Sequence, residues 1–220
     1  MTAGGAPEAV EPEPPVAAEL FGDRLPAVRR FAADLAERGV ELGLIGPREP
    51  ARLWTRHILN CGLVAREVPP GATLADVGSG AGLPGLVIAS ARPDLQVTLI
   101  EPMLRRTQWL TDEVGRLGLE HVTVVRGRAE EQRGVLFDVV TARAVGPLTT
   151  LLPITARLVR PGGRLLLMKG ENVDEELAAA GKQVRRARLT DVRVDVLGLG
   201  MALEPTRVLG ATVPLPHPGT

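Results

Sequence analysis

The chain has no tyrosine, three phenylalanines and two tryptophans, so aromatic side chains are 2% of its residues. Surfaces on which bases could stack are scarce, which argues against tight gripping of naked single-stranded nucleic acid. A single cysteine, Cys61, excludes an internal disulfide and fits a reducing compartment. No Cys/His cluster has metal-ligand spacing, so no metal is expected. Neither a G-x-S-x-G elbow nor a Cys–His pairing supports a covalent nucleophile. No apolar run approaches a membrane span, and the acidic, Pro-rich start lacks the basic-then-apolar layout of a secretory signal. A soluble, cytoplasmic protein without a membrane partner is expected. The only lysines are Lys169 and Lys182; Arg is the better fork for phosphate, though a GC-rich genome would give the same bias. The formal charge is zero but uneven. Glu8, Glu11, Glu13 and Glu19 fall among the first 20 residues with no basic partner, leaving 26 basic against 22 acidic side chains in the remainder.

What is present is concentrated in T-L-A-D-V-G-S-G-A-G-L-P-G, residues 73–85. Thr73, Leu74, Ala75 and Val77 make a short apolar run with Asp76 near its end. Gly78, Gly80, Gly82 and Gly85 then break the chain. The pattern predicts a buried strand, a tight glycine turn and a helix starting at Pro84. Glycine supplies the positive φ of such a turn and lets a ligand approach the backbone, and the following helix start offers free N–H groups. Gly80 to Gly85 formally matches the dinucleotide fingerprint G-x-G-x-x-G, and Glu101 lies about twenty residues on, as that fingerprint asks. Asp76 argues the other way. A carboxylate met before the turn suits a cationic group and suits a pyrophosphate badly. S-adenosyl-L-methionine, which has no phosphate and carries an ammonium and a sulfonium, is the favoured cofactor.

In chain order, residues 1–16 hold Ala, Gly, Pro and Glu with little to bury and predict a disordered tail. Apolar residues then recur at helical spacing from Ala17 to about Gly39, and a second helix begins near Pro47. Together they form an N-terminal helical cap over residues 17–71. Residues 72–213 alternate β and α. Strands are predicted at 73–77, 96–100, 122–125, 137–142 and 164–168, with helices from 84 to 91, 103 to 117, 148 to 158 and 173 to 180. Two last strands, 191–197 and 206–213, suggest an antiparallel edge hairpin, and residues 214–220 a short tail. Alternation of this kind predicts a doubly wound, mostly parallel sheet.

Several residues could carry chemistry. Glu101, ending the second strand, is placed to accept hydrogen bonds from both ribose hydroxyls. Ala129 and Glu130 follow the third strand, where a loop flanks an adenine or simply carries solvated charge. Arg143 follows the fourth strand, at the carboxyl edge where open α/β sheets bind ligands, though a surface ion pair would look the same. Arg48, Arg52 and Arg56 recur every four residues as one helical stripe that could meet RNA phosphates or face solvent. His57 beside them is more often a packed or capping histidine than a catalytic base, and it joins the stripe as a candidate RNA contact. Lys169 ends the fifth strand on the same edge and could meet RNA phosphate or the base.

Taken together, D-V-G-S-G-A-G-L-P-G, R-A-E-E, F-D-V-V-T-A-R-A and M-K-G, in that order, resemble the RsmG (GidB) family of bacterial methyltransferases acting on small-subunit ribosomal RNA. The preceding G-P-R-E-P-A-R-L-W-T-R-H-I-L-N-C resembles that family's helical lead-in, and the likeness runs from about Phe21 to Lys169. Asn60 and Cys61 stand where the lead-in's usual form has Asp and Ser, and the carboxyl end is Pro-rich where a basic one is expected. The resemblance implies an α/β class I S-adenosylmethionine-dependent methyltransferase, Rossmann-like with a mostly parallel seven-stranded sheet. It implies methyl transfer to N7 of a guanine in the decoding region of 16S rRNA. A structured target, 16S rRNA within the 30S subunit rather than naked, and a monomeric enzyme are expected beside it. The resemblance also implies that Gly78, Leu83, Ala129, Glu130 and Arg143 contact the cofactor; Asp76, Gly80 and Glu101 join them from the residue reading. Guanine N7 carries a free lone pair and no proton, so proximity and in-line orientation suffice and no general base is needed. Arg143 and Lys169 are the candidate catalytic residues. A nicotinamide oxidoreductase is the first rival, without an evident Tyr-Lys or His-centred proton relay. A non-catalytic module that kept the cofactor fold is the second.

Overall fold

Apolar residues in the central strands point alternately to two sheet faces, so each face must be covered. In the computed structural model, which describes residues 9–201 and 203–216, helices cover both. The strands are β1 (Thr73–Val77), β2 (Gln96–Glu101), β3 (Val122–Arg126), β4 (Phe137–Arg143), β5 (Val159–Lys169), β6 (Thr190–Leu197) and β7 (Thr206–Thr212). They lie in the order β3-β2-β1-β4-β5-β7-β6. β1 to β5 pair in parallel, whereas β7 is antiparallel to both β5 and β6. The predicted final hairpin therefore forms, but its second strand inserts next to β5 and leaves β6 at the sheet edge. This insertion sets Lys169 opposite Arg207.

On one face Leu74, Leu99, Val139 and Leu166 pack beneath α2 (Leu25–Arg38), α3 (Leu59–Arg66), α4 (Gly85–Ala91) and α5 (Leu104–Leu117). On the other, Ala75, Ile100, Val140 and Leu167 meet α6 (Leu148–Thr155), α7 (Val173–Ala179) and neighbouring turns. α5 shows why its stretch is helical. Trp109, Leu110, Glu113 and Leu117 fall on one buried side, and Gly118 ends the helix in the left-handed region at φ 64°.

The cap is less regular than its spacing predicts. The first helical stretch divides into α1 (Val16–Phe21) and α2, with a 3-10 turn between them at Gly22, where φ is 50°. The second begins not as an α-helix at Pro47 but as a 3-10 turn at Pro50–Arg52, followed by a π-helical turn at Leu53–Ile58 that runs into α3. The open N–H groups of that π-helical turn are taken by Glu11, whose Oε2 accepts from Trp54 N–H at 2.8 Å and Thr55 N–H at 3.1 Å. Glu11 N–H also donates to Pro50 O at 2.9 Å, and Arg29 Nη2 donates to Glu13 at 2.6 Å. Of the tail expected over residues 1–16, residues 1–8 lie outside the described residues, and the rest is bound to the cap through these acids. Residues 217–220 of the expected carboxyl tail also lie outside the described residues.

β1 is the switch point: the chain goes outward through β2 and β3, then returns on the other side through β4. Val77 pairs with Ala142, so the glycine turn after β1 and Arg143 at the end of β4 leave the sheet side by side. The start of α4 lies tightly over β1 and β2. A Cβ on Gly85 would come within 2.3 Å of Leu99 Cδ2 and 2.6 Å of Asp76 Oδ2. Gly85→Ala is therefore expected to destabilise the protein by about 1–3 kcal/mol through overpacking. Gly115→Ala, in α5 with nothing within 4 Å of the added methyl, is expected to stabilise by about 0.5–1 kcal/mol. Urea midpoints of the two variants check both signs.

Candidate active site

Asp76 reaches the end of β1 fully buried. Its Oδ2 accepts from Gly85 N–H at 3.0 Å, joining the strand end to the first turn of α4. Its Oδ1 is buried without a partner among the described residues. Burial pushes the carboxyl up to about 7, and the charge of Glu101 adds to the shift. The turn passes through positive φ at Gly78, Gly80 and Gly82. Gly78 and Ser79 N–H both donate to Ile100 O, at 2.8 and 3.2 Å. Glu101, also buried, holds the turn from β2. Its Oε2 accepts from Gly80 N–H and its Oε1 from Met103 N–H, each at 2.9 Å. Trp109 of α5 fixes the far side by donating Nε1–H to Ala81 O at 3.0 Å. The loop after β4 lies close by, since a Cβ on Gly78 would meet Val145 Cγ2 at 2.7 Å.

Arg143 meets the cap here. Its Nη2 donates to His57 Nδ1 and its Nη1 to Cys61 Sγ at 3.7 Å, a weak bond. The other ring nitrogen of His57, Nε2, bonds the Glu49 carboxylate. Burial, then the charge of Arg143, lowers His57 to about 4 against the pull of Glu49. The imidazole is thus neutral at neutral pH, with its proton on Nε2. Burial pushes the Cys61 thiol up to about 11, so it stays protonated and unreactive.

Next to this cluster an open cleft of about 930 Å³ runs along the carboxyl ends of β4 and β5. Arg56 and Asn60 of the cap line one wall, Arg143 and Lys169 the floor, and Glu204 and Arg207 the far side. An ion pair between Arg56 and Glu204 at 3.6 Å bridges the cap to the β6–β7 connection. Lys169 is largely covered. Its Nζ pairs with Glu176 at 2.7 Å and donates to Gly146 O at 2.9 Å, while Glu176 also accepts from Leu148 N–H at 3.0 Å. Lys169 is therefore a neutralised side chain rather than the open cation its position in the sequence predicts.

The site brings together Asp76, Gly78, Gly80, Leu83, Glu101 and Arg143, with Leu83 packed in the core against the turn side of the sheet. Ala129 and Glu130 begin a 3-10 turn after β3, the first buried and the second exposed. The arginine stripe does not form. Arg48 lies in a turn, Arg52 in the 3-10 turn and Arg56 in the π-helical turn, and of the three only Arg56 lines the cleft. Arg52 pairs with Glu49 at 2.7 Å. His57, expected as an RNA contact, is 6% exposed and occupied on both ring nitrogens. Sequence reasoning missed Glu49, which bonds His57, Glu176, which pairs with Lys169, and Trp109, which holds the glycine turn through Ala81 O. Among the described residues, no group of three or more His, Cys, Asp or Glu is arranged to hold a metal, and no helix is long and apolar enough to cross a membrane.

The turn fits S-adenosylmethionine better than a dinucleotide. Two buried carboxylates flank it, one with an orphaned oxygen, and such a pair would repel a pyrophosphate while accepting an ammonium or hydroxyl donors. Each Glu101 oxygen keeps a second lone-pair direction for a ribose hydroxyl.

The sheet order, with one antiparallel strand inserted next to β5, is that of class I S-adenosylmethionine-dependent methyltransferases. A solved structure described as a SAM dependent methyltransferase from Aquifex aeolicus is similar to it, with a TM-score of 0.52 and 20% identity over 70% of this chain and 89% of that one. The chain belongs to the rRNA small subunit methyltransferase G (GidB) family, whose model matches residues 24–202. The ribosomal RNA small subunit methyltransferase G of Clavibacter sepedonicus is 54% identical over 205 residues, covering 93% of this chain and 97% of that protein. That of Leifsonia xyli subsp. xyli is 53% identical over 207 residues, covering 94% and 99%.

The raised carboxyl of Asp76 has a consequence for stability. A folded-state value of about 7 lies above the unfolded value of about 3.9, so between them the folded protein holds the extra proton. The contribution of Asp76 to stability is then expected to fall as pH rises from about 4 to about 7, while His57, held down to about 4, contributes the opposite slope. Burial also pushes Glu113 up to about 7, which acts in the same direction as Asp76. Asp76→Asn keeps an acceptor for Gly85 N–H and removes one of the two charges. Urea unfolding across this range is expected to show a shallower pH slope in the variant than in the wild type.

Proposed function

We propose that this protein transfers the methyl group of S-adenosyl-L-methionine to N7 of a guanine in the decoding region of bacterial 16S rRNA, and that it meets that RNA within the 30S subunit. The observation that carries the reading is the adjacency of two different sites at the switch point. One is a glycine turn flanked by carboxylates, and the other is an open cleft of mixed charge. At about 930 Å³ the cleft falls within the ~300–1,000 Å³ typical of small-molecule sites, which is ample for one nucleotide.

In this reading Asp76 and Glu101 hold the cofactor's amino acid and ribose ends, with Gly78, Gly80 and Leu83 along the turn. Ala129 and Glu130 border the adenine. The cofactor supplies an electrophilic methyl on a sulfonium. Arg143, shared between the turn and the cleft, orients the cofactor against the incoming base. Nothing has to remove a proton, because N7 already presents its lone pair, and catalysis consists of proximity, alignment and exclusion of water. This accords with the side chains: His57 is neutral, buried and engaged on both nitrogens, and the Cys61 thiol is inert. The acids of the cleft have a use as well. Glu171 and Glu204 line it, and carboxylates accept from the N1–H and exocyclic amine of guanine, donors that become more acidic once N7 is methylated. Lys169 can reach a phosphate or the base through the one N–H that Glu176 and Gly146 leave, or by exchanging Glu176 for it. Arg56 and Arg207 lie at the rim of the cleft, suited to a structured RNA read by shape and backbone.

Labelled S-adenosylmethionine incubated with 30S subunits from a strain lacking the activity tests the proposal. Label at N7 of a 16S guanine is the expected result; label elsewhere, or none despite cofactor binding, would contradict it. Arg143→Ala is expected to lower single-turnover methylation by roughly 10²-fold, the scale of losing a placed charged donor. Lys169→Ala is expected to lower it by about tenfold, roughly one charged hydrogen bond. Unchanged turnover would remove Lys169 from the substrate contacts.

A further inference from the structure

Arg143 has five N–H donors in a planar fork, and their directions are useful only if the fork is held in one orientation. Among the described residues, the cap supplies its side-chain contacts, through His57 Nδ1 and Cys61 Sγ. A neutral imidazole has one donor and one acceptor, and which nitrogen accepts depends on where the proton sits. Were the proton on Nδ1, an N–H would face the guanidinium N–H and the contact would become repulsive.

Glu49 decides the matter. It lies before the 3-10 turn at Pro50–Arg52, and its Oε2 is bonded to His57 Nε2. Burial raises this carboxyl, but bonds from Arg52 and His57 outweigh it and the net shift is downward, so Glu49 is ionised and can only accept. The proton of His57 is therefore drawn to Nε2, and Nδ1 is left as an acceptor aimed at Arg143. Arg52 at 2.7 Å holds Glu49 on its other oxygen, and Arg56 lies 3.9 Å from it.

We propose that Glu49 is a positioning residue for methyl transfer: by fixing the Nε2–H tautomer of His57 it makes the imidazole the acceptor that orients Arg143, and the remaining guanidinium donors are left for the ligand. The proposal rests on the reading of Arg143 as a cofactor contact. The orienting chain is built wholly from the cap and ends at the carboxyl edge of β4, so it gives the cap a part in the chemistry besides covering the sheet.

Two substitutions separate tautomer control from charge or packing. Glu49→Gln removes the charge but keeps a carbonyl oxygen that can accept from Nε2–H, whereas Glu49→Ala removes the acceptor. Long-range ¹H–¹⁵N spectra of the histidines report the tautomer directly, with the His57 signals identified by their loss in His57→Gln. The wild type and Glu49→Gln are expected to show the Nε2–H form, and Glu49→Ala a substantial Nδ1–H population. By calorimetry, Glu49→Ala is expected to weaken S-adenosylmethionine binding about tenfold, the loss of one hydrogen bond to a charged group, and Glu49→Gln is expected to recover most of that loss. A His57 that keeps the Nε2–H form in Glu49→Ala, or a Glu49→Gln protein as defective as Glu49→Ala, would overturn the proposal. If Arg143→Ala binds the cofactor as the wild type does, the reading of Arg143 fails and the proposal with it. A defective Arg143→Ala beside an unaffected Glu49→Ala would overturn the proposal alone.

Discussion

Between β1 and α4 the backbone turns too sharply to satisfy its own N–H groups, and two buried carboxylates take up part of the excess. Asp76 accepts from Gly85 and Glu101 from Gly80. These acids end adjacent strands, so the turn is held from below by the sheet itself, and Trp109 holds it from the side through Ala81 O. Burial makes the arrangement costly, as the rise of Asp76 to about 7 records. A site that keeps two acids out of water beside a glycine turn is pre-shaped for a ligand that brings positive charge and hydroxyl donors. The parallel order of β2, β1 and β4 then sets Arg143 beside that turn and opens the cleft next to it.

The cap belongs to the same device. Its π-helical turn is closed at the start by Glu11, and α3 follows directly, so His57 and Cys61, one turn apart, both reach Arg143. π-helical turns recur at functional sites because they re-aim side chains out of the α register. The cleft between cap and sheet mixes charges rather than presenting one sign. Arg56 is partly offset by Glu204 and Lys169 by Glu176. Such a surface favours a partner that fits its shape over unspecific binding to any polyanion.

Much of this was legible in the sequence because it is local. D-V-G-S-G-A-G-L-P-G carries its own physics: an acid at a strand end, glycines where φ must be positive, a helix start. The placing of Glu101 and Arg143 at the ends of apolar strands was legible as well. What escaped depends on pairings that leave no periodic signal in the chain. Glu176 neutralises Lys169 through a side chain seven residues on, and the spacing of a charge pair across a loop carries no periodic signal. Arg48, Arg52 and Arg56 read as a stripe because a four-residue repeat was laid on an α-helix; a 3-10 turn at Pro50–Arg52 and a π-helical turn stand in its place, and Arg52 is taken by Glu49. The insertion of β7 beside β5 is likewise a long-range pairing choice, invisible in the hairpin's own residues. Glu11 looked like part of an acidic tail, and only the open N–H groups of Trp54 and Thr55 reveal its use.

The central claim is that the carboxylate-held glycine turn is where the cofactor binds. Amide hydrogen exchange with and without S-adenosylhomocysteine tests it most directly, since bound ligand should slow exchange where it covers or rigidifies the backbone. The account predicts added protection at residues 78–83 and around Glu101, with the β6–β7 hairpin unaffected. Tight binding that left the turn's exchange unchanged, with protection confined to another part of the fold, would contradict it.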